Sequence, residues 1–211
     1  MRCTANADDS KEDFIMKNAN KRKMSTETLV LGAIMTALVI VFQLLGTFTA
    51  FFGPFSSAVA LIPIVIGASM CGIGIGTWLG LVFGIVVLAS GGGAFFMAFD
   101  VPGTIITVLA KGAACGFAAG LVYKLLEKVN KYVAVLAASI ACPVVNTGVF
   151  MLGCAVFFLD DVSGIAQALG SDASGMAVFW ALAMANFMLE LGSNIVLSPI
   201  TVRLLNLRKK K

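Results

Sequence analysis

Between residues 28 and 123 the chain carries only two charged side chains, Asp100 and Lys111. A soluble domain cannot cover its core with so little polar surface. Hydrophobic residues make up 59% of the 211 positions and charged residues 12%; an ordinary soluble domain has roughly 25% charged residues. The chain is therefore expected to be an all-α integral membrane protein, because in lipid a helix satisfies its own backbone polar groups. Several function classes drop out at once. The sequence has no histidine, which removes His-ligated metals, a Ser-His triad and a His proton relay. It has no G-x-x-x-x-G-K-S/T segment, so it has no P-loop for ATP hydrolysis. No enzyme activity, metal, cofactor or nucleic-acid partner is expected.

A crossing needs about 20 mostly apolar residues. Six runs meet or approach that: 28–46, 56–73, 74–91, 102–124, 132–158 and 175–203. The second and third form one stretch too long for a single crossing, and it is divided at the glycines of Cys71-Gly-Ile-Gly-Ile-Gly76. The first run follows a hydrophilic tail without a cleavage site, so it reads as a span and not as a removable signal. The expected organisation is a basic tail over 1–27, a six-helix membrane domain over 28–205 and a second basic tail over 206–211. Basic residues set the orientation. Those of the N-tail, the Lys124–Lys131 turn and the C-tail fall on one side of a six-span path. The other side holds Asp100, Asp160, Asp161 and Asp172, and no Lys or Arg. Both termini are expected in the cytoplasm. The five cysteines show no C-x-x-C spacing, and four lie in apolar runs; they read as small hydrophobes, without a disulfide.

Small residues recur every four positions as Ala33 and Ala37, Gly80 and Gly84, and Gly112, Gly116 and Gly120. Such faces let helices approach closely, and packing within the chain is their plain explanation. Polar groups at membrane depth cost a few kcal/mol each and need a reason. Lys111 lies mid-way along the fourth run, Asn146 along the fifth, just after Pro143, and Glu190 along the sixth. Asn186, Glu190 and Asn194 share one helix face by their spacing. Two readings follow: a Lys111–Glu190 pair that staples helices, or a polar pocket between the fourth, fifth and sixth spans. The pocket is favoured because intramembrane ionisable groups are functional by default. In it Lys111 meets an acidic ligand, Glu190 orients the lysine or accepts ligand hydroxyls, and Asn186 and Asn194 fix the Glu190 rotamer. Phe51, Phe52, Phe55, Phe95, Phe96 and Phe99 concentrate in two Gly-containing connections on the outer side. Tyr and Trp, the usual interface anchors, are nearly absent there. The phenylalanines therefore read as an apolar lid, with Phe52 and Phe96 as ligand contacts.

Four segments carry a resemblance to a known family. They are Ala33-x-x-x-Ala37, Phe55-Ser-Ser-Ala-Val-Ala-Leu-Ile-Pro-Ile-Val-Ile-Gly67, Lys111-Gly-Ala-Ala-Cys-Gly-Phe-Ala-Ala-Gly120 and Pro143-Val-Val-Asn-Thr-Gly148. In order and spacing they resemble the substrate-binding S components of energy-coupling factor (ECF) vitamin transporters, over about residues 28–205. The resemblance implies a six-helix protein of a prokaryotic plasma membrane that binds a water-soluble vitamin near its outer face. It implies partners as well: a transmembrane coupling subunit, docked on the Ala33 and Ala37 face, and two ATPase subunits. The segments look closest to the branch that includes pantothenate binders; folate, riboflavin, biotin and lipoate stay open. Two other classes also stay open from the residues alone. One is an ion-coupled permease with Glu190 as the titrating group, and the other a non-transporting scaffold.

Overall fold

The computed structural model describes residues 26–49, 59–98, 100–157 and 175–209, and over these the protein is all-helical. Its long helices are α1 Thr26–Thr49, α2 Leu61–Cys71, α3 Ile73–Ala89, α4 Val101–Leu126, α5 Lys131–Phe157 and α6 Gly175–Lys209. A single helical turn, Ala94–Met97, lies between α3 and α4, inside a segment expected to be a plain connection. Helix α6 continues past the expected end of its run at 203 to Lys209.

Four helices are long and apolar enough to cross a membrane: α1, α4, α5 and the Ala183–Leu207 part of α6. Helices α2 and α3 have 11 and 17 residues. At 1.5 Å per residue they reach about 16 and 25 Å, less than the roughly 30 Å of a hydrocarbon core. The apolar stretch does divide at a glycine of the Cys71–Gly76 segment. The break is Gly72, at φ +92°, which L side chains rarely adopt. Its N–H donates to the Ala68 carbonyl at 3.1 Å, closing the end of α2.

Helix α2 is the centre of the bundle. It touches each of the other five long helices, and every residue from Leu61 to Ser69 is buried. A helix enclosed on all sides needs no polar face, which accounts for its unbroken apolar sequence.

The glycine spacings act within the chain. A methyl group at Gly80 would land on the Gly112 carbonyl oxygen, and one at Gly116 on the Gly76 carbonyl oxygen. Helices α3 and α4 thus touch backbone to backbone, which only Gly permits. The register of α4 is fixed at its other end by Asp100, whose Oδ2 accepts from the Gly103 N–H at 3.0 Å. The Thr104 hydroxyl donates to the Asp100 carbonyl at 2.6 Å, and Pro102 stands in the first turn where its missing N–H costs nothing. Pro143 lies inside α5 without ending the helix. It deprives the Ser139 carbonyl of its helical donor.

Candidate functional site

Helices α4, α5 and α6 each bring one polar residue to a common place. Lys111 is eleven residues beyond the Asp100 cap, so it lies about 16 Å along α4, within a helix long and apolar enough to cross a membrane. Asn146 of α5 is 3% exposed and Glu190 of α6 is 1% exposed. The Asn146 amide donates to Glu190 Oε2 at 3.1 Å and to Oε1 at 3.3 Å. Asn186, one turn before Glu190, donates to Oε1 at 2.9 Å. Asn194 points elsewhere: its amide donates to the Glu190 backbone carbonyl at 2.8 Å. The carboxylate rotamer is therefore set by Asn146 and Asn186, and not by Asn186 and Asn194 as the sequence suggests. Asparagine one turn ahead of a helical carbonyl readily makes that backbone bond, so the spacing alone could not separate the two roles.

The alternative reading, a Lys111–Glu190 staple, is not realised as a direct ion pair. Both residues are described, and neither is the other's hydrogen-bond or salt-bridge partner. The carboxylate oxygens are taken by the two amides, although the charges still act on one another through space. The Lys111 ammonium rests over the Phe150 ring, 4.7 Å from its centroid, a cation–π contact. Phe150 meets Phe96 edge to face, with ring centroids 5.3 Å apart. Phe96 stands in the Ala94–Met97 turn, so the lysine and one phenylalanine-rich connection belong to one cluster. Phe52 lies outside the described residues.

Unsatisfied polar atoms mark the same region. Asn146 Oδ1 and Thr107 Oγ1 are buried without a hydrogen-bond partner among the described residues. Thr107 precedes Lys111 by one turn of α4, and it packs so closely on Gly153 of α5 that a methyl group there would overlap it. Buried polar atoms without partners are uncommon and costly. These two lie in the same part of the bundle as a lysine whose three N–H donors meet an aromatic face and no acceptor among the described residues.

A family model described as "ECF transporter, substrate-specific component" matches residues 27–202. The chain belongs to this family. It is a multi-pass membrane transport subunit and not an enzyme. Family membership implies a substrate and an ECF module with ATPase and coupling subunits. No curated protein and no solved structure matches the chain.

In this S component Ala33 and Ala37 are exposed on α1, whereas Gly32, Met35, Val39 and Gln43 face inward. The two alanines thus point away from the bundle. Sequence reasoning missed three residues of interest. Phe150 looks like any apolar residue of α5 until the α4–α5 register places it under Lys111. Thr107 and Gln43, whose Oε1 is also buried and without a partner among the described residues, stand in apolar runs, and only their polarity there could have singled them out.

Proposed function

We infer that this S component captures a small carboxylate-bearing vitamin, with pantothenate favoured, from the outer face of a prokaryotic plasma membrane. Six crossings with both termini cytoplasmic bring Asp100 and the phenylalanine-rich connections to that outer face. Lys111 holds the ligand carboxylate. Asn146 Oδ1 and Thr107 Oγ1 meet ligand O–H or N–H groups, Glu190 sets the Asn146 orientation and balances the lysine charge, and Phe96 with Phe150, and Phe52 from the other connection, covers the apolar part. Asn186 and Asn194 support Glu190 from its own helix. ATP hydrolysis by the partner module drives uptake, and the coupling subunit docks on Ala33 and Ala37.

The observation that carries this reading is the Lys111 ammonium midway along an apolar helix, with an aromatic face and no acceptor among the described residues. A charge placed there is costly, and a ligand carboxylate would supply the missing partner. Pantothenate matches the rest, since its hydroxyl and amide groups suit the orphan Asn146 and Thr107 oxygens; folate, biotin, lipoate and riboflavin are the other vitamins to compare. The test is binding to the purified protein across that panel. Acidic vitamins should bind and their amides or esters should not. Equal binding of pantothenate and its uncharged alcohol analogue would sink the proposal.

A further inference from the structure

Lys111 differs from its neighbours on α4. Thr107 and Cys115, one turn to either side, are buried, whereas Lys111 keeps part of its surface accessible. A lysine stem is long and flexible, and an ammonium among apolar residues is drawn along it toward water or toward a carboxylate. Glu190 is such a carboxylate, and it acts on Lys111 through space. Yet its oxygens accept from Asn146 and Asn186. The ammonium stands instead over the Phe150 ring, 4.7 Å from the centroid.

A ring and a carboxylate hold a cation with different consequences. A carboxylate would neutralise the ammonium and compete with an acidic ligand. The face of a ring attracts the cation through its quadrupole and leaves the charge whole. It covers one side of the ammonium, so N–H donors on the other sides stay available. An aliphatic side chain at 150 would fill the space without that attraction. The ring is itself steadied. Phe96 meets it edge to face, with 5.3 Å between centroids and 86° between planes, an arrangement that aromatic pairs favour. Phe96 stands in the Ala94–Met97 turn, where the Met97 N–H donates to the Gly93 carbonyl at 3.0 Å and the Ala98 N–H to the Ala94 carbonyl at 3.2 Å. Phe150 is in the interior of α5, so two separate elements fix the plane on which the ammonium rests.

We propose that Phe150 is a positioning residue, whose ring holds the Lys111 ammonium in place, charged and not neutralised, for the carboxylate of the ligand. This role rests on the vitamin reading given above. It is separate from covering the ligand's apolar part, because it acts through the lysine alone. Without the ring the ammonium relaxes toward Glu190 or toward the membrane boundary, and each binding event must bring it back.

The test is calorimetric titration of the full chain in detergent with pantothenate, and with folate, biotin and lipoate if pantothenate does not bind. Phe150 is replaced by mono-, di- and trifluorophenylalanine through nonsense suppression. Fluorine drains negative charge from the ring face while nearly keeping its shape, so folding and packing change little. Affinity should fall stepwise with each fluorine, by about 5- to 30-fold over the series, and Phe150→Leu should match the trifluoro ring. In a Lys111→Met background the same series should be flat, because a role exerted through the ammonium has nothing left to act on. Three results overturn the proposal alone. They are a flat series with the lysine in place, an equal slope in Lys111→Met, which is a ring–ligand contact, and affinity that rises with fluorine, which is a ring that the ligand must displace. If no acidic vitamin binds the unaltered chain, or Lys111→Met binds one equally well, the vitamin reading falls and this role falls with it.

Discussion

At Lys111 the balance of charge decides what a substitution does. Its ammonium has an aromatic ring and a distant carboxylate, but no direct acceptor among the described residues. A ligand carboxylate would form a charge-assisted bond there, worth about 1.5–3 kcal/mol, or roughly 10- to 150-fold in affinity. Lys111→Met keeps the length and apolar stem, so the protein should fold while losing that factor in titration calorimetry. Glu190→Gln should weaken binding less, because a glutamine oxygen can still accept from Asn146 or Asn186. Asn146→Ala is the harsher change. It removes two of the three amide bonds to a carboxylate that is 1% exposed, leaving a buried charge short of donors. A loss of a few kcal/mol is expected, read as a lower unfolding temperature together with weaker ligand binding. Normal binding by Lys111→Met with a lowered unfolding temperature would make the lysine a structural element and move the pocket elsewhere.

Between α3 and α4 the spacing of glycines is a statement about backbone distance, and it yields a paired prediction. Gly80→Ala places a methyl group on the Gly112 carbonyl. Backbone cannot yield as a flexible side chain can, so the helices must separate, at a cost of about 1–3 kcal/mol or more. Gly148→Ala, in the middle of α5, meets nothing within 4 Å and should be neutral or stabilising by up to about 1 kcal/mol. Thermal unfolding of the two variants in one detergent checks both signs; similar effects would mean that the α3–α4 contact is looser than described. This element was legible in advance only in part. Runs of apolar residues gave the helices, and Gly72 could be sought inside a stretch too long for one crossing. Which small-residue faces pair with each other, and which stay exposed, depends on three-dimensional register. So the Gly80 face could not be told from the Ala33 face by spacing. The same limit hid Phe150, whose role exists only because α5 places it under a lysine of α4. The polar residues were legible because lipid makes each of them costly; their partners were not, as the exchange of roles between Asn146 and Asn194 shows.

For the whole molecule, the one-sided basic residues predict the path through the membrane. Cysteines introduced at 127 and 161 in a cysteine-free background should label from inside and outside respectively; the reverse pattern would invert the topology. The same orientation bears on how the S component meets its module. Family membership implies an ECF module with ATPase and coupling subunits, and on the proposed reading one face of this chain carries the contact. On α1 the inward positions Gly32, Met35, Val39 and Gln43 are buried, while Ala33 and Ala37 are exposed one turn apart. A small-residue pair on an exposed helix face lets another helix come close, and bulk added there extends outward without entering the core. Replacing both alanines with leucine should therefore leave the unfolding temperature and vitamin affinity unchanged. Co-purification with the coupling subunit should fall sharply, and ATP-driven uptake in liposomes holding the full module should fall with it. Unimpaired assembly of the double variant would place the docking face elsewhere, and full uptake by the purified chain alone would remove the need for a module.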